Sequence, residues 1–479
     1  MKNRLLRILS AFPLILPVLL ILFLCPGCRT SDALPAEGNE DASVSLPSAE
    51  RIPLAQDGKT GFLLVYDVDV PPEVRNQIFA VRDVFASRFG ADLRPYDDYQ
   101  KEQPFEIVVG SERRESCRAL TGSLAPGEYA IKVSRTAQKT EILLAYRGAY
   151  ARGATIDRFV AECENAAGGD GSIPADLEIK GEYTVENAMI TSTIPQLRDP
   201  FVLQENGTYY AYGTGWHCWK NTSGSLAGPW TDIGLCVDVP EDAETNHWAP
   251  EVHRYNGKFY MFTTYYSAKR KHRGCTVFCA DTPEGPFCEI SDGPVTPADW
   301  DSIDGTFYVD TDRQPWMIFV HEWTSTDDGV GRMAAAKMSD DLTRLISEPV
   351  ELFRADDPSW ATNKVTDGCF MVTLSDGTLL MLWSNWDSAG YCVGIARSDN
   401  GRVDGKWSQD KALLFSKNLT DDYDGGHGMI FADTAGDLWL SLHSPNNASD
   451  GRKETPVFIP VKESGSTLVW DRTRDLAGR

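Results

Sequence analysis

Four carboxylates and one imidazole recur at nearly even spacing through the second half of the chain. Asp199 precedes Asn206-Gly207, Glu251 precedes Asn256-Gly257, Asp304 precedes Asp312-Arg313, Asp367 precedes Asp376-Gly377, and His427 precedes Ala435-Gly436. In each unit the ionisable residue sits in an apolar stretch, and five to nine residues later a turn opens an alternating strand. If the five residues hold one place in their units, they meet in a single pocket. Like charges there perturb one another's pKa values, the condition that acid–base chemistry needs.

Such a meeting places a demand on the fold. The turns recur every 50 to 64 residues, and a lone hairpin cannot bury its apolar face. Five similar sheet units in series therefore pack radially, as a β-propeller with one blade per unit. Outer-strand signals agree with about four strands per blade: Ala227-Gly-Pro-Trp230, Glu284-Gly-Pro-Phe287 and Asp404-Gly-Lys-Trp407 each set a turn before an aromatic, while the third unit has Ser347-Glu-Pro-Val350.

Upstream the pattern changes to strands and helices. Phe62–Tyr66, Phe105–Gly110, Tyr129–Val133 and Glu141–Ala145 alternate as strands, and apolar spacing predicts helices over 72–89 and 150–163. The fold class is thus mainly β: a five-bladed β-propeller over residues 187–479 behind a small α/β domain over 56–185. Residues 28–55, rich in Ser, Ala, Pro and acidic side chains, read as a flexible tether.

The chain of 479 residues is 42% hydrophobic, enough for a large core, and its net charge of −23 repels nucleic acid and anionic membrane surfaces. Neutral sugars remain compatible partners. Residues 1–27 have a basic start (Lys2, Arg4, Arg7) and an apolar run from Ala11 to Cys25, the layout of a secretory signal. Cys28 after Gly27 resembles a lipoprotein cleavage site at which Cys28 is acylated, with Cys25 standing where such sites carry Leu. The expected location is the outer membrane or cell surface, otherwise the periplasm, with membrane contact only through that lipid. Nine other cysteines remain, with no CxxC pair to suggest zinc; Cys218 with Cys236 and Cys369 with Cys392 are conceivable disulfides.

The pocket motifs carry a resemblance. Arg198-Asp-Pro-Phe201, His247-Trp-Ala-Pro-Glu251, Ser302-Ile-Asp-Gly305, Thr366-Asp-Gly-Cys369 and Gly426-His-Gly428 stand in the order found in glycoside hydrolase family 43. The resemblance covers residues 187–465. It implies a five-bladed propeller and an inverting glycosidase, most plausibly an α-L-arabinofuranosidase or β-xylosidase-like enzyme. The N-terminal segment resembles the accessory domain that precedes the catalytic domain in hexosaminidases and glucuronidases. A β-galactofuranosidase or galactanase-type enzyme and a non-catalytic glycan-binding propeller are the competing readings; the fructosidase pattern Asn-Asp-Pro-Asn is absent.

By that resemblance Asp199 is the general base, and the alternative of a cap is weakened because Pro200 offers no amide. Asp304 tunes the acid, unless it merely makes an Asx turn with Gly305. Asp367 falls where the family carries a glutamate acid; the shorter side chain leaves Glu322, beside Trp323 in an apolar strand, as the rival proton donor. Glu251 and Arg198 are expected to bind substrate, with Trp248 and Trp323 as stacking faces. His427 either faces a structural calcium or water on the propeller axis, or is a hydrogen-bonded core histidine. No cofactor is required for the chemistry.

Overall fold

The computed structural model describes residues 50–477. The expected signal segment and Cys28 lie outside the described residues.

Residues 51–188 build a six-stranded mixed sheet in the order Arg94–Asp97, Leu63–Tyr66, Phe105–Val109, Thr140–Tyr146, Glu128–Arg135 and Glu178–Glu182. Helices Pro72–Val84, Glu115–Gly122 and Ala149–Ala167 accompany it. Val74, Ile78, Val81 and Phe85 share one helical face and pack with Ile156 and Phe159 over the sheet. The tether ends earlier than its composition suggests. Arg51–Pro53 is a strand paired with Ser172–Pro174, and Leu54 is buried; a three-residue strand whose partner lies 120 residues away has no local signal.

The rest of the described chain forms five antiparallel sheets in series. The inner strands are Phe201–Glu205, Ala243–Tyr255, Ser302–Val309, Asp367–Thr373 and Gly426–Ala432, and each is followed by three strands stepping outward. Asn206-Gly207 and Asn256-Gly257 make the first hairpins of blades one and two, both residues of each pair having positive φ. Ile190–Thr191 pairs with the third strand of blade five, Thr455–Ser464, tying the first blade's approach to the last blade. Trp216, Trp383 and Trp439 are fully buried within the blades, so these large aromatics hold the core and are withheld from ligands. Among the described residues all nine cysteines are free thiols.

The two parts share an apolar cluster, in which Tyr150 and Ala154 pack with Phe415 and Trp470, and polar contacts edge it. Arg152 donates to the Asn418 carbonyl, Asn418 donates to Glu73, and Arg472 pairs with Asp157.

Candidate functional site

At the head of every blade the inner strand, or in blade one the stretch leading into it, passes through a left-handed residue: Asp199, Ala249, Asp304, Gly368 and His427, with φ of 56°, 45°, 55°, 53° and 53°. In blades two to five the strand register shifts at this point, so each is a bulge. Each left-handed residue forms a pair with the one before it: Arg198-Asp199, Trp248-Ala249, Ile303-Asp304, Asp367-Gly368 and Gly426-His427.

Four of these left-handed residues donate their N–H to the second strand of the preceding blade or to the residue just after it. Ala249 donates to Thr214, Asp304 to Thr264, His427 to the Ser384 hydroxyl, and Asp199 to Nδ1 of His443, which closes the circle. The fifth link differs. The corresponding second-strand residue of blade three is Val320, opposite Ile303, and valine offers no acceptor. The Gly368 N–H donates instead to Oδ2 of Asp304, at 2.9 Å. A Cβ at Gly368 would lie 2.8 Å from the His427 Cα, so only glycine fits there.

These residues enclose a cavity of about 380 Å³. Arg198, Asp199, Asp304, Asp367, His427, Glu322, Trp248 and Trp323 all line it. Glu251 does not. It lies two residues beyond the blade-two bulge, buried, where it accepts from the Thr306 hydroxyl and faces His253 Nε2 at 3.0 Å. The even spacing of ionisable residues therefore misaligns blade two, whose left-handed residue is Ala249, and blade four, where the carboxylate stands one residue ahead of the bulge.

His427 Nδ1 stands 3.4 Å from Asp199 Oδ1, 3.8 Å from Asp304 Oδ2 and 4.0 Å from Asp367 Oδ1. The Asp199 and Asp367 oxygens are thus no farther apart than the sum of their two distances, about 7.4 Å.

Protonation separates the carboxyls. Burial raises the pKa of Asp199, but the His427 ring, the Arg198 guanidinium and the Thr214 hydroxyl together more than offset it, leaving the group below the ordinary aspartate range. Burial pushes Asp304 up to about 6, against bonds from Asp367 and the Gly368 amide. Asp367 is raised further, by burial and then by the charge of Asp304 and the hydrogen bond they share, against His427 and Tyr391. The Asp304–Asp367 pair therefore keeps a proton at a pH where Asp199 has lost its own. Burial also raises Glu322, but Arg273 Nε holds its Oε2 at 2.6 Å, so this carboxylate already has a cationic partner. His443 is neutral because burial lowers its pKa to about 3. Its Nδ1 is then free to accept the Asp199 amide.

Several contributors lie outside the motifs. Tyr391, on the third strand of blade four, donates from its hydroxyl to Asp367 Oδ2 at 2.7 Å. Its ring fits because Gly426 lacks a Cβ, which would sit 2.3 Å from the ring. The glycines of Gly426-His-Gly428 signal a close approach but do not name the partner. Thr214, Asn447, Glu454 and Arg273 come from loops and later strands, where single polar residues carry no signal of spacing.

Tyr391→Phe removes a donor that favours ionised Asp367, so Asp367 holds its proton to higher pH. The alkaline limb of kcat/KM against pH should move upward while the acid limb stays in place; an unmoved alkaline limb would separate Tyr391 from the titrating pair.

Residues 179–459, more than half of the chain, match glycosyl hydrolases family 43. Over 127 residues the chain is 33% identical to a probable arabinan endo-1,5-alpha-L-arabinosidase B of Aspergillus oryzae, covering 26% of this chain and 32% of that protein. The match thus spans about a third of that relative's length. A match of 262 residues is 26% identical to a probable arabinan endo-1,5-alpha-L-arabinosidase C of Aspergillus niger, covering 51% of this chain and 74% of the other. Among solved structures, an endo-arabinase from Bacteroides thetaiotaomicron is 33% identical with a TM-score of 0.51, covering 58% of this chain and 98% of its own.

Proposed function

The chain belongs to glycosyl hydrolases family 43, and on that premise we propose that it hydrolyses glycosidic bonds by inversion, with arabinofuranosyl linkages as the preferred class and β-xylosyl linkages next. One observation carries the reading: in one cavity an aspartate kept ionised faces an aspartate kept protonated.

In this reading Asp199 accepts a proton from water as the water oxygen bonds to the anomeric carbon. Asp367 delivers its proton to the departing glycosidic oxygen as that carbon–oxygen bond breaks. Asp304 keeps the acid protonated through its charge and the bond they share. Tyr391 fixes the carboxyl of Asp367, which matters for a side chain one methylene shorter than glutamate. Glu322 is assigned to holding Arg273 in place, since a carboxylate committed to a guanidinium is a poor proton donor. Trp248 and Trp323 offer faces to the sugar ring, and Arg198 offers donors to its hydroxyls.

Calcium near His427 has no part in this proposal. Asp304, Asp367 and His427 place ligand atoms within 4.8 Å of one another, but they supply two carboxylate oxygens and one nitrogen, where calcium takes six to eight oxygens. An ion on that set would also hold both carboxylates ionised and remove the proton the reaction needs. The set does not suit calcium, and no step runs through it. Turnover should change less than about twofold after exhaustive chelation; a collapse restored by calcium would overturn this assignment.

Asp199→Ala should lower kcat at least about a hundredfold on any substrate. Asp367→Asn should cost at least about a hundredfold on an alkyl or sugar leaving group but much less on dinitrophenolate, which needs no proton, whereas Glu322→Gln should show no such dependence. The reverse pattern would make Glu322 the acid.

A further inference from the structure

Arg198, Thr214 and Glu454 line the cavity just described and also a second one, of about 430 Å³, beside it. The two form a trough between blades one and five; the backbone N–H of Leu197 donates to the Glu454 carbonyl across that seam. The outer wall is one sheet face. His217 and Trp219 alternate along a single strand, and Asp232 stands opposite Trp219 on the next. The rings of His217 and Trp219 lie 6.0 Å apart at 34°, giving a broad aromatic surface that is half-buried or open.

This chamber is built to bind. Both its carboxylates are engaged: Asp232 is bonded to His217 at 2.7 Å and accepts the Gly234 amide at 2.8 Å, and Glu454 accepts from Arg198 at 2.6 Å, so no paired acid and base are free for chemistry. An aromatic face edged by a carboxylate, an imidazole and a guanidinium suits a pyranose or furanose ring, with its apolar face and rim of hydroxyls.

Its position assigns which sugar. Thr214 lines both chambers and donates to Asp199, so the second chamber adjoins the base. In an inverting displacement the leaving group departs on the acid's side, opposite the water held by the base. A ring in the second chamber is therefore joined to the retained sugar.

Resting on the glycosidase reading above, we propose that the Trp219 chamber binds the sugar preceding the cleaved residue, so that the enzyme acts on oligomers and releases at least a disaccharide from the non-reducing side of the cut. The test compares wild type, Trp219→Ala and Asp232→Asn on nitrophenyl α-L-arabinofuranoside and on whichever of α-1,5-arabinotetraose and β-1,4-xylotetraose is cleaved, with product lengths read by chromatography. The disaccharide should appear before any monosaccharide. Each variant's kcat/KM should fall about tenfold more on the tetraose than on the nitrophenyl glycoside, the size expected for losing one stacked or hydrogen-bonded ring. The mild Asp232→Asn change guards against a folding defect in the tryptophan variant. Equal losses on both substrates, undiminished tetraose cleavage, or monosaccharide as the first product would overturn the chamber's role while leaving the glycosidase reading intact. Failure of wild type to turn over either substrate would bring down both.

Discussion

The active cavity depends on five inner strands being forced through left-handed backbone at the same height on one axis. Four of those residues are not glycine, and each costs of order 1–3 kcal/mol unless its surroundings hold it. Asp and His tolerate the conformation through their polar side chains, but Ala249 has no such compensation. What holds them is the circle of N–H groups donated to the neighbouring blade, each a buried donor that would cost about 1–3 kcal/mol if left unpaired. Blade packing and site geometry are thus one constraint: a shift of any blade both breaks a buried hydrogen bond and moves a side chain that lines the cavity.

The one irregular link in that circle gives the site its chemistry. Because Val320 provides no acceptor, Oδ2 of Asp304 takes the Gly368 amide, and the Asp304 carboxylate becomes anchored to the residue that follows Asp367. Asp304 and Asp367 then cannot drift apart, and two buried carboxyls so close resist ionising together. Asp199, across the ring of His427, escapes that repulsion because the Arg198 charge and the Thr214 hydroxyl lie on its own side. One fold thereby shifts the pKa values of two aspartates in opposite directions.

The sequence read most clearly where a residue's place is tied to a turn. Asp199, Asp304 and His427 precede their hairpins by seven or eight residues, and the axis collects them as that spacing implies. Glu251 misled for a physical reason: side-chain direction near a bulge reverses over one residue, so a carboxylate two places late is buried between blades while Trp248 faces the cavity. Tyr391, Thr214 and Glu454 were beyond reach, since their roles follow from which blade lies beside which. The competition between Asp367 and Glu322 also needed coordinates, because only the Arg273 contact and the Tyr391 bond distinguish two acids that look alike in an apolar stretch.

The central claim is that Asp199 and Asp367 act from opposite sides of one sugar, with a water between base and carbon. Proton NMR of a reaction mixture, recorded before mutarotation, reads the configuration of the first-formed hemiacetal directly. An anomer opposite to that of the substrate is the predicted result, and a first product of unchanged configuration would contradict the account.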